Sequence, residues 1–517
     1  MRLTRQVFSS MLNIALFAIC TSFLFAQGSY RAQLRGVVSD ASGAVVANAK
    51  VTIRNIGTNI SSSSRTDEKG TYFFTGLVPS TYAVKVEAPG FRPTEKTGVV
   101  LAVDQESSLN FRMELAGVSS TVEVTTTAPL LDTGNATLGT DITGEYVKEL
   151  PLLNRDFFGL TFLAGGVTEA AGSGTQDNYP SGTNFVSNGQ RNATAEIRMD
   201  GALISAPEQG EGGNSNVYYE PLVEGVQEFK VQNNSFSAEF GNNGGTVVNM
   251  VLKSGTNAFH GSGWYFLQRS QLNARDFFNP EYTPGNPVPN PKPDSKRDQG
   301  GFSIGGPIRK NRTFFFADFE KVRNISAFSN LATVPTAAER TGDFSATSTN
   351  IYDPTLPLVG CVSGSCRQQA QYNGNLNVIP PGEIDPIGKA ILNLYPQANL
   401  PGEINNYIFS GTSHAPDYQF DIKIDHQIND RNHISGRYSR GSSNYYTPMI
   451  FGDSFDNNGA GDGIAGSPTL AQNGSIEYSR TINPRIVWTS HFAVDRVHEK
   501  ATSSIPSISS FNASLPS

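Results

Sequence analysis

Residues 417–428, DYQFDIKIDHQI, alternate apolar and polar side chains over most of their length. Successive side chains of an extended chain point to opposite faces, so this period of two predicts a β-strand with two different faces. The apolar face carries Tyr418, Phe420, Ile422 and Ile424, and the polar face carries Gln419, Asp421, Lys423 and Asp425. A half-buried strand of a soluble protein has this pattern. A membrane strand has it too, because a charge on the lipid face costs up to about 2–4 kcal/mol at mid-bilayer.

Connection lengths distinguish these two architectures. Tight connections are predicted after Ile308, Ile428 and Thr481, and long ones at 271–298, 324–414 and 441–471. Outer-membrane barrels alternate in this way because their periplasmic turns are short and their external loops are free to grow, whereas a sandwich does not sort its loops by end. The pattern therefore favours a barrel. Its predicted strands lie near 259–268, 300–308, 313–322, 417–428, 433–440, 474–481 and 485–496.

The composition agrees with a mainly β protein. The 517 residues include 51 Gly and 29 Pro, which interrupt helices, and 10% aromatic residues, which pack well on pleated sheets. The formal net charge is −7, and no run of Lys and Arg is present that would neutralise phosphates. Nucleic acid is therefore not expected as a partner.

The first 26 residues have the layout of a secretory signal peptide. Arg2 and Arg5 precede an apolar run at 11–25, and the small residue Ala26 follows it. We therefore expect export. After this segment no apolar run reaches the ~18–20 residues of a membrane helix, so any membrane contact must be made by strands.

Two cysteines remain after the signal peptide, Cys361 and Cys366, in the segment CVSGSC. An even pair in an exported protein favours a disulfide that closes a short loop. Two free thiols in the loop are the alternative.

Short alternating strands between 34 and 115 predict a small β-sandwich. Its stretches GVVSDASGAVVANAKVTI and TDEKGTYFFTGLVPSTYAVKVEAPGF resemble the carboxypeptidase regulatory-like domain, which has a transthyretin-like fold. The resemblance implies such a domain at residues 27–116, with Ser80 at a position where the family usually has Gly. It implies no peptidase residues, and the wider fold group suggests sugar binding.

The next segment, 117–127, is rich in Thr and Ser and is interpreted as a linker. Within it VEVTT resembles the TonB box of outer-membrane transporters, which implies a TonB contact at Val122, Glu123, Val124, Thr125 and Thr126. An ordinary linker or trailing strand is the alternative.

Three stretches between 128 and 253 resemble, in order, the plug of TonB-dependent receptors: ELPLLNRDFFGLTFLAGGV, SNGQRNATAEIRMDGALI and PLVEGVQEFKVQNNSFSAEFGNNGGTVVNMVLKSGTN. The first contains Asn154, Arg155 and Asp156, and the second contains Asp200 and Gly201 at a recurring plug position. Asp200 either contacts ligand or simply forms an Asp-Gly turn. The match is to the Oar-like group, whose members carry the same N-terminal sandwich.

The family resemblance also implies that the barrel begins near residue 254 and continues through residue 517. Trp264 and Phe266 of its first strand are expected in an interfacial aromatic girdle. Plugged transporters use 22 strands, and the seven predicted here cannot close such a barrel, because open edges in lipid leave unpaired amides. We therefore expect the sequence to be incomplete and the missing part to be barrel.

Chemical motifs point away from an enzyme. The patterns HExxH, CxxC and the P-loop are absent from the sequence, and no catalytic residue, cofactor or firm metal site is predicted. The loop DSFDNNGAGD offers Asp453, Asp456 and Asp462 as weak calcium candidates, but it lacks a closing bidentate Glu, and an ordinary Asn/Asp/Gly loop is the alternative.

Together these features predict a TonB-dependent transporter of the Gram-negative outer membrane. Its expected partners are the TonB complex of the inner membrane, outer-membrane lipid and an unidentified extracellular ligand, for which glycan, siderophore, peptide and protein are all open. An exported carbohydrate-binding or adhesive β-protein is the alternative, and it leaves the sorted loops and plug-like segments unexplained.

Overall fold

The computed structural model describes residues 30–116, 122–125, 137, 139–150, 152, 155–169, 185–191, 194–205, 217, 219–233, 235–241, 243–275, 281, 292, 294–359, 367–446, 450–451, 464–483, 485–500 and 502–503. The predicted signal peptide, the Cys361–Cys366 pair and the calcium candidates Asp453, Asp456 and Asp462 lie outside these residues. Among the described residues no helix is long and apolar enough to cross a membrane.

The N-terminal part of the described chain is a β-sandwich. Its strands are β1 Ala32–Asp40, β2 Lys50–Asn55, β3 Ser61–Arg65, β4 Thr71–Leu77, β5 Ser80–Glu87, β6 Thr94–Leu101, β7 Glu106–Ser108, β8 Phe111–Met113 and β9 Val122–Thr125. One sheet has the order β4-β1-β7 with β8 also on β1, and the other has the order β3-β2-β5-β6-β9. Their inner faces bury a core that includes Leu34, Val51, Tyr72, Val84 and Phe111.

The second part is an α+β unit around a five-stranded sheet of order β10-β15-β16-β13-β14. The elements are β10 Gly139–Thr143, α1 Gly144–Glu149, a 3₁₀ helix Phe158–Leu163, β11 Val167–Glu169, β12 Phe185–Ser187, β13 Glu196–Met199, β14 Ala202–Leu203, β15 Val226–Asn233 and β16 Thr246–Leu252. Every residue of β16 is buried, because this strand lies between β15 and β13 and is covered on both faces.

The third part is one antiparallel sheet of long strands. They are β17 His260–Arg269, β18 Ser295–Arg309, β19 Thr313–Ala332, β22 Tyr407–Asn429, β23 Asn432–Tyr446, β24 Ile464–Asn483 and β25 Ile486–Glu499. The small strands β20 Gln371–Tyr372 and β21 Asn375–Leu376 form a hairpin between β19 and β22, and β26 Thr502–Ser503 pairs with β24. Each long strand pairs with the next along the chain, and the described sheet does not close, so β17 and β25 are edges.

The predicted sorting of connections is confirmed. The tight connections are 310–312, 430–431 and 484–485, and the long ones are 270–294, 333–406 and 447–463. The strands are longer at their loop ends than the sequence indicated, because β19 and β22 continue pairing up to Ala332 and Tyr407.

In this sheet the buried face is charged and the exposed face is apolar, which is the reverse of the arrangement in a soluble protein. In β22 the charged residues Asp421 and Lys423 are 0% and 3% exposed, whereas Ile422 and Ile424 between them are each 44% exposed. The charged face therefore covers the plug-like sheet, and the apolar face points outward. Further outward apolar residues are Tyr265, Leu267, Phe302, Ile304, Ile476, Phe492 and Val494.

The predicted aromatic girdle at Trp264 and Phe266 is wrong. Trp264 donates its indole N–H to Glu320 at 2.7 Å, and Phe266 lies under the guanidinium of Arg155 at 4.5 Å. Both side chains therefore face inward, because residues two apart share a face, and Tyr265 points outward instead. The phase of this Gly- and aromatic-rich strand could not be read from its sequence, because both faces carry aromatic side chains.

The long connection 333–406 has its own folded structure. The helix α2, Pro386–Leu394, begins after Asp385, which accepts the Gly388 amide at its N-cap. Arg340 is buried beneath it and donates to the carbonyl oxygens of Tyr395 at 3.2 Å and Pro396 at 2.6 Å. A cation beside the free carbonyls at a helix end is favourable, so this contact fixes the helix on the loop.

Candidate functional site

The candidate site is the plug–barrel junction, defined as the contacts between the sheet β10–β16 and the inner face of the long strands. Its central feature is the turn between β13 and β14, formed by Asp200 and Gly201 with φ values of 49° and 80°. An Asp-Gly pair tolerates two successive positive φ angles, as a tight hairpin turn requires. The turn points its carboxylate at the strands β22 and β23.

Asp200 forms buried ion pairs with two barrel cations. Its Oδ1 accepts Lys423 Nζ at 2.8 Å, and its Oδ2 lies 3.4 Å from Arg437 Nε. The side chains of Asp200 and Lys423 are 7% and 4% exposed. Asp200 is thus both a turn residue and a barrel contact, whereas the sequence had suggested a turn or a ligand contact.

The two cations also contact plug backbone. Lys423 donates to the Leu252 carbonyl at 3.1 Å, and Arg437 donates to the Met199 carbonyl at 3.3 Å. These two carbonyls belong to adjacent plug strands, β16 and β13. The junction therefore binds two adjacent strands of the plug sheet, β13 and β16, in addition to the Asp200 turn.

A second buried contact involves Tyr219. This plug residue is fully buried and donates its hydroxyl to Asp421 Oδ2 at 2.8 Å. Asp421 also accepts from Ser439, and its amide donates to Asp318 Oδ1 at 2.9 Å. Burial raises the pKa of Tyr219 well above its usual value, so the hydroxyl remains a donor at all ordinary pH values.

The predicted motif residues Arg155 and Asp156 lie in a plug loop that contacts the segment 219–224. Arg155 pairs with Glu224 at 2.9 Å, and Asp156 accepts the Phe158 amide at 2.9 Å. Glu220 accepts the Phe157 amide at 2.7 Å. Burial raises the pKa of both carboxyls, Asp156 and Glu220. Asn154 lies outside the described residues.

The sandwich is attached to the plug strand β15 by polar contacts. Glu228 accepts the Val103 amide at 2.6 Å, while Lys230 and Gln232 donate to the carbonyl and carboxylate of Asp104 at 3.2 and 3.0 Å. Burial raises the pKa of Glu228 to about 7. A small apolar cluster of Tyr30, Val103 and Val251 lies beside these contacts.

The sandwich also contacts the barrel sheet. Arg31, directly before β1, forms a buried ion pair with Glu477 of β24, and its Nε lies 2.9 Å from Glu477 Oε1. Tyr30 donates to the same carboxylate at 3.4 Å. Arg31 and Glu477 are 446 residues apart in sequence, so this pair joins the beginning and the end of the described chain.

Four of the five candidate TonB-box residues, Val122–Thr125, form strand β9. β9 pairs in parallel with β6, with Thr94 opposite Val122 and Thr97 opposite Thr125. Thr126 lies outside the described residues. Among the described residues, no group of three or more His, Cys, Asp or Glu is arranged to hold a metal ion.

Sequence reasoning found Asp200 but missed its partners. Lys423 lies on the polar face of DYQFDIKIDHQI, and a cation on the inner face of a predicted barrel strand was a usable signal for a plug contact. Arg437, Tyr219 and Glu228 gave no such signal, because their burial depends on contacts with distant parts of the chain.

Two protein-family models match the chain. The outer membrane beta barrel domain matches residues 251–515, just over half of the chain, and the carboxypeptidase regulatory-like domain matches residues 33–114. The TonB-dependent transporter Oar of Myxococcus xanthus is 26% identical over 328 residues, which cover 62% of this chain and 29% of that protein. The chain thus spans less than a third of this relative's length.

Two similar solved structures are forms of the ferric enterobactin receptor PfeA of Pseudomonas aeruginosa. A mutant in complex with enterobactin has a TM-score of 0.41 at 10% identity, covering 71% of this chain and 42% of that one. The complex with BCV-L6 has a TM-score of 0.40 at 11% identity, covering 70% and 41%.

Proposed function

Because the chain belongs to the outer-membrane β-barrel family, as an Oar-like TonB-dependent receptor, we propose that it transports an extracellular ligand through a plugged barrel, powered through TonB by the proton gradient. The carrying observation is the plug–barrel junction. A folded sheet is held against the charged inner face of the long strands by Asp200, Lys423 and Arg437.

The chemistry of this junction suits a seal that must open. Buried ion pairs contribute no more to stability than apolar packing of similar volume, and often less. They nevertheless fix one geometry, and they are lost together when one partner moves. The plug contributes Asp200 and Tyr219, and the barrel contributes their partners. A displacement of the plug would therefore break these contacts together and expose a polar passage, without any covalent chemistry.

The outward apolar face disfavours the alternative of a soluble exported binder. Ile422, Ile476 and Phe492 are 44%, 55% and 67% exposed on one side of the sheet. An exposed apolar band of this extent is expected to face lipid or another partner. Carbonate extraction of membranes tests this point, since a transporter stays with the membrane and a soluble or peripheral binder is released.

TonB contact is proposed at Val122–Thr126. We expect Val124→Pro to abolish transport and leave surface ligand binding intact, since proline removes an amide donor from a strand that a partner pairs with. The direct measurement is binding of the periplasmic domain of TonB to the full-length protein in detergent, where we expect a loss of at least about tenfold. Ser119→Pro in the same linker is the matched control, and unchanged binding by the Val124 variant would refute the assignment.

A further inference from the structure

The sandwich lies against the tight-turn end of the barrel sheet. Arg485, in the last of the tight connections, donates to the Asp67 carboxylate of the sandwich at 2.8 Å. Asn257, just before β17, donates its backbone amide to the Gly57 carbonyl at 2.9 Å and its side-chain amide to the Thr58 carbonyl at 2.7 Å. The short turns of an outer-membrane barrel face the periplasm, so the sandwich occupies the side from which a ligand would leave.

A cavity of about 840 Å³ lies between the sandwich and the barrel at this end. Its walls come from all three parts of the chain, with Phe73 from the sandwich, Gln227 from the plug strand β15, and Asp425 and Ser479 from the barrel. Asp425 is two residues beyond Lys423, so both side chains lie on the inner face of β22. The cavity is therefore next to the plug–barrel junction, and a passage opened by plug displacement would lead into it.

The residue that leads into the sandwich also contacts the plug turn of the junction. Tyr30 is 4% exposed and packs with Val103 of the sandwich and Val251 of the plug strand β16. A Cβ atom placed on Gly201 would lie 3.3 Å from Tyr30 Cδ1, so the tyrosine ring lies directly against the Asp200–Gly201 turn. The sandwich thus touches the turn whose carboxylate forms the junction ion pairs.

Arg31 fixes this contact to the barrel. Its guanidinium pairs with Glu477 of β24, and Nη2 lies 3.4 Å from His433 Nδ1 of the neighbouring strand β23. It also donates to the Gly76 carbonyl within the sandwich at 3.0 Å. Arg31 therefore joins the sandwich to two barrel strands, while the adjacent Tyr30 touches the plug. The plug turn cannot move past Tyr30 unless the sandwich moves too.

We infer that the sandwich is a gate at the tight-turn end of the barrel. While it is docked, it retains the plug turn and covers the cavity that a ligand would enter, and it must undock before the plug can leave the junction. The Arg485–Asp67 pair is largely exposed and contributes little to docking, so the buried Arg31–Glu477 pair is the main docking contact. This inference rests on the proposed function, in which the plug moves.

The first test releases the sandwich. Arg31→Gln and Glu477→Gln each leave one charge buried and unpaired while the sandwich is docked, which favours the undocked state. We expect the amides of β16 in the full-length protein to exchange at least tenfold faster in both variants. Arg65→Gln is the matched control, because Arg65 donates to Asn48 within the sandwich at 3.0 Å. Exchange of β16 within threefold of the parent protein in either variant would overturn the inference.

The second test locks the sandwich in place and needs no loss of a docking contact. A Cβ atom placed on Gly57 would lie 3.7 Å from the Cβ of Thr256, in the connection from plug to barrel, and a disulfide spans about 3.5–4.5 Å between Cβ atoms. The double variant Gly57→Cys with Thr256→Cys is combined with Asp200→Asn, which weakens the junction. We expect oxidation to slow β16 exchange at least tenfold in this background, and reductant to restore it. The single variant Gly57→Cys in the same background is the matched control.

The two ways in which this second test can fail are distinguishable. A change of less than threefold on oxidation would overturn the gate and leave the proposed function standing, because the plug would then open while the sandwich stays docked. If Asp200→Asn itself does not speed β16 exchange, the junction does not retain the plug, and both the gate and the proposed function lose their support.

Discussion

Replacing Asp200 with Asn tests whether the plug–barrel junction retains the plug. Asn is close in shape to Asp and tolerates the positive φ of 49°, so the turn between β13 and β14 should persist. The change removes the negative charge that pairs with Lys423 and Arg437. Both cations then remain buried without a direct ion-pair partner on the plug.

The expected magnitude follows from the remaining contacts. Removing one partner of a buried ion pair costs about 3–5 kcal/mol. Lys423 keeps the Leu252 carbonyl and Arg437 keeps the Met199 carbonyl, so we expect the lower end, about 3 kcal/mol. At 1.4 kcal/mol per factor of ten, this corresponds to roughly a 100-fold larger population of displaced plug.

Hydrogen exchange of the full-length protein measures this population. The amides of β16, Thr246–Leu252, lie at the buried centre of the plug sheet, so their exchange requires plug opening. We expect them to exchange about 100-fold faster in the Asp200→Asn variant. Asp353→Asn, at a loop carboxylate far in sequence from the junction that accepts from the amide and hydroxyl of Thr355, is the control and should leave this exchange unchanged. Exchange of β16 within threefold of the parent protein would refute the reasoning.

Two further predictions concern Glu228 and Tyr219. Burial raises the pKa of Glu228 to about 7, so its ionisation destabilises the folded state as the pH rises from about 4.5 to 7. Glu228→Gln should therefore add about 2–3 kcal/mol to the free energy of unfolding at pH 8 and nothing below about pH 4.5. Thermal unfolding at pH 8 and pH 4 measures this, and equal stabilisation at both would contradict it. Tyr219→Phe removes the hydroxyl donor to buried Asp421 and should lower the free energy of plug displacement by about 1–3 kcal/mol. The amides of β16 should then exchange faster, and unchanged exchange would show that the hydrogen bond is dispensable.

The fold class and the family resemblance are confirmed, because both depend on local patterns. Any outer-membrane barrel shows the period-two alternation seen at 417–428, because each strand has lipid on one face and a polar interior on the other. Any such barrel also has short loops at one end and long loops at the other. The sandwich strands β3 and β6 could not be predicted from alternation, because SSSSR and TEKTGVVL lack a clean period of two. They are strands because β2 and β5 supply hydrogen-bonding edges to them.

The candidate site was predicted less completely. Asp200 was identifiable because an Asp-Gly turn has a local signature, but its role depends on Lys423, 223 residues away. The phase of β17 was misread because glycine and aromatic residues occupy both of its faces. The TonB-box assignment, the disulfide and the plug roles of Arg155 and Asp156 stay predictions.

The Arg31–Glu477 pair has a consequence for biogenesis. A contact that spans 446 residues closes a very long loop, so it forms late compared with the local strand pairs of either domain. The sandwich can complete its own core early, but Arg31 can form its ion pair with Glu477 only after β24 has folded. The pair would thus form only once this part of the barrel sheet has assembled beside the folded N-terminal domain, and a chain arrested before β24 would lack it.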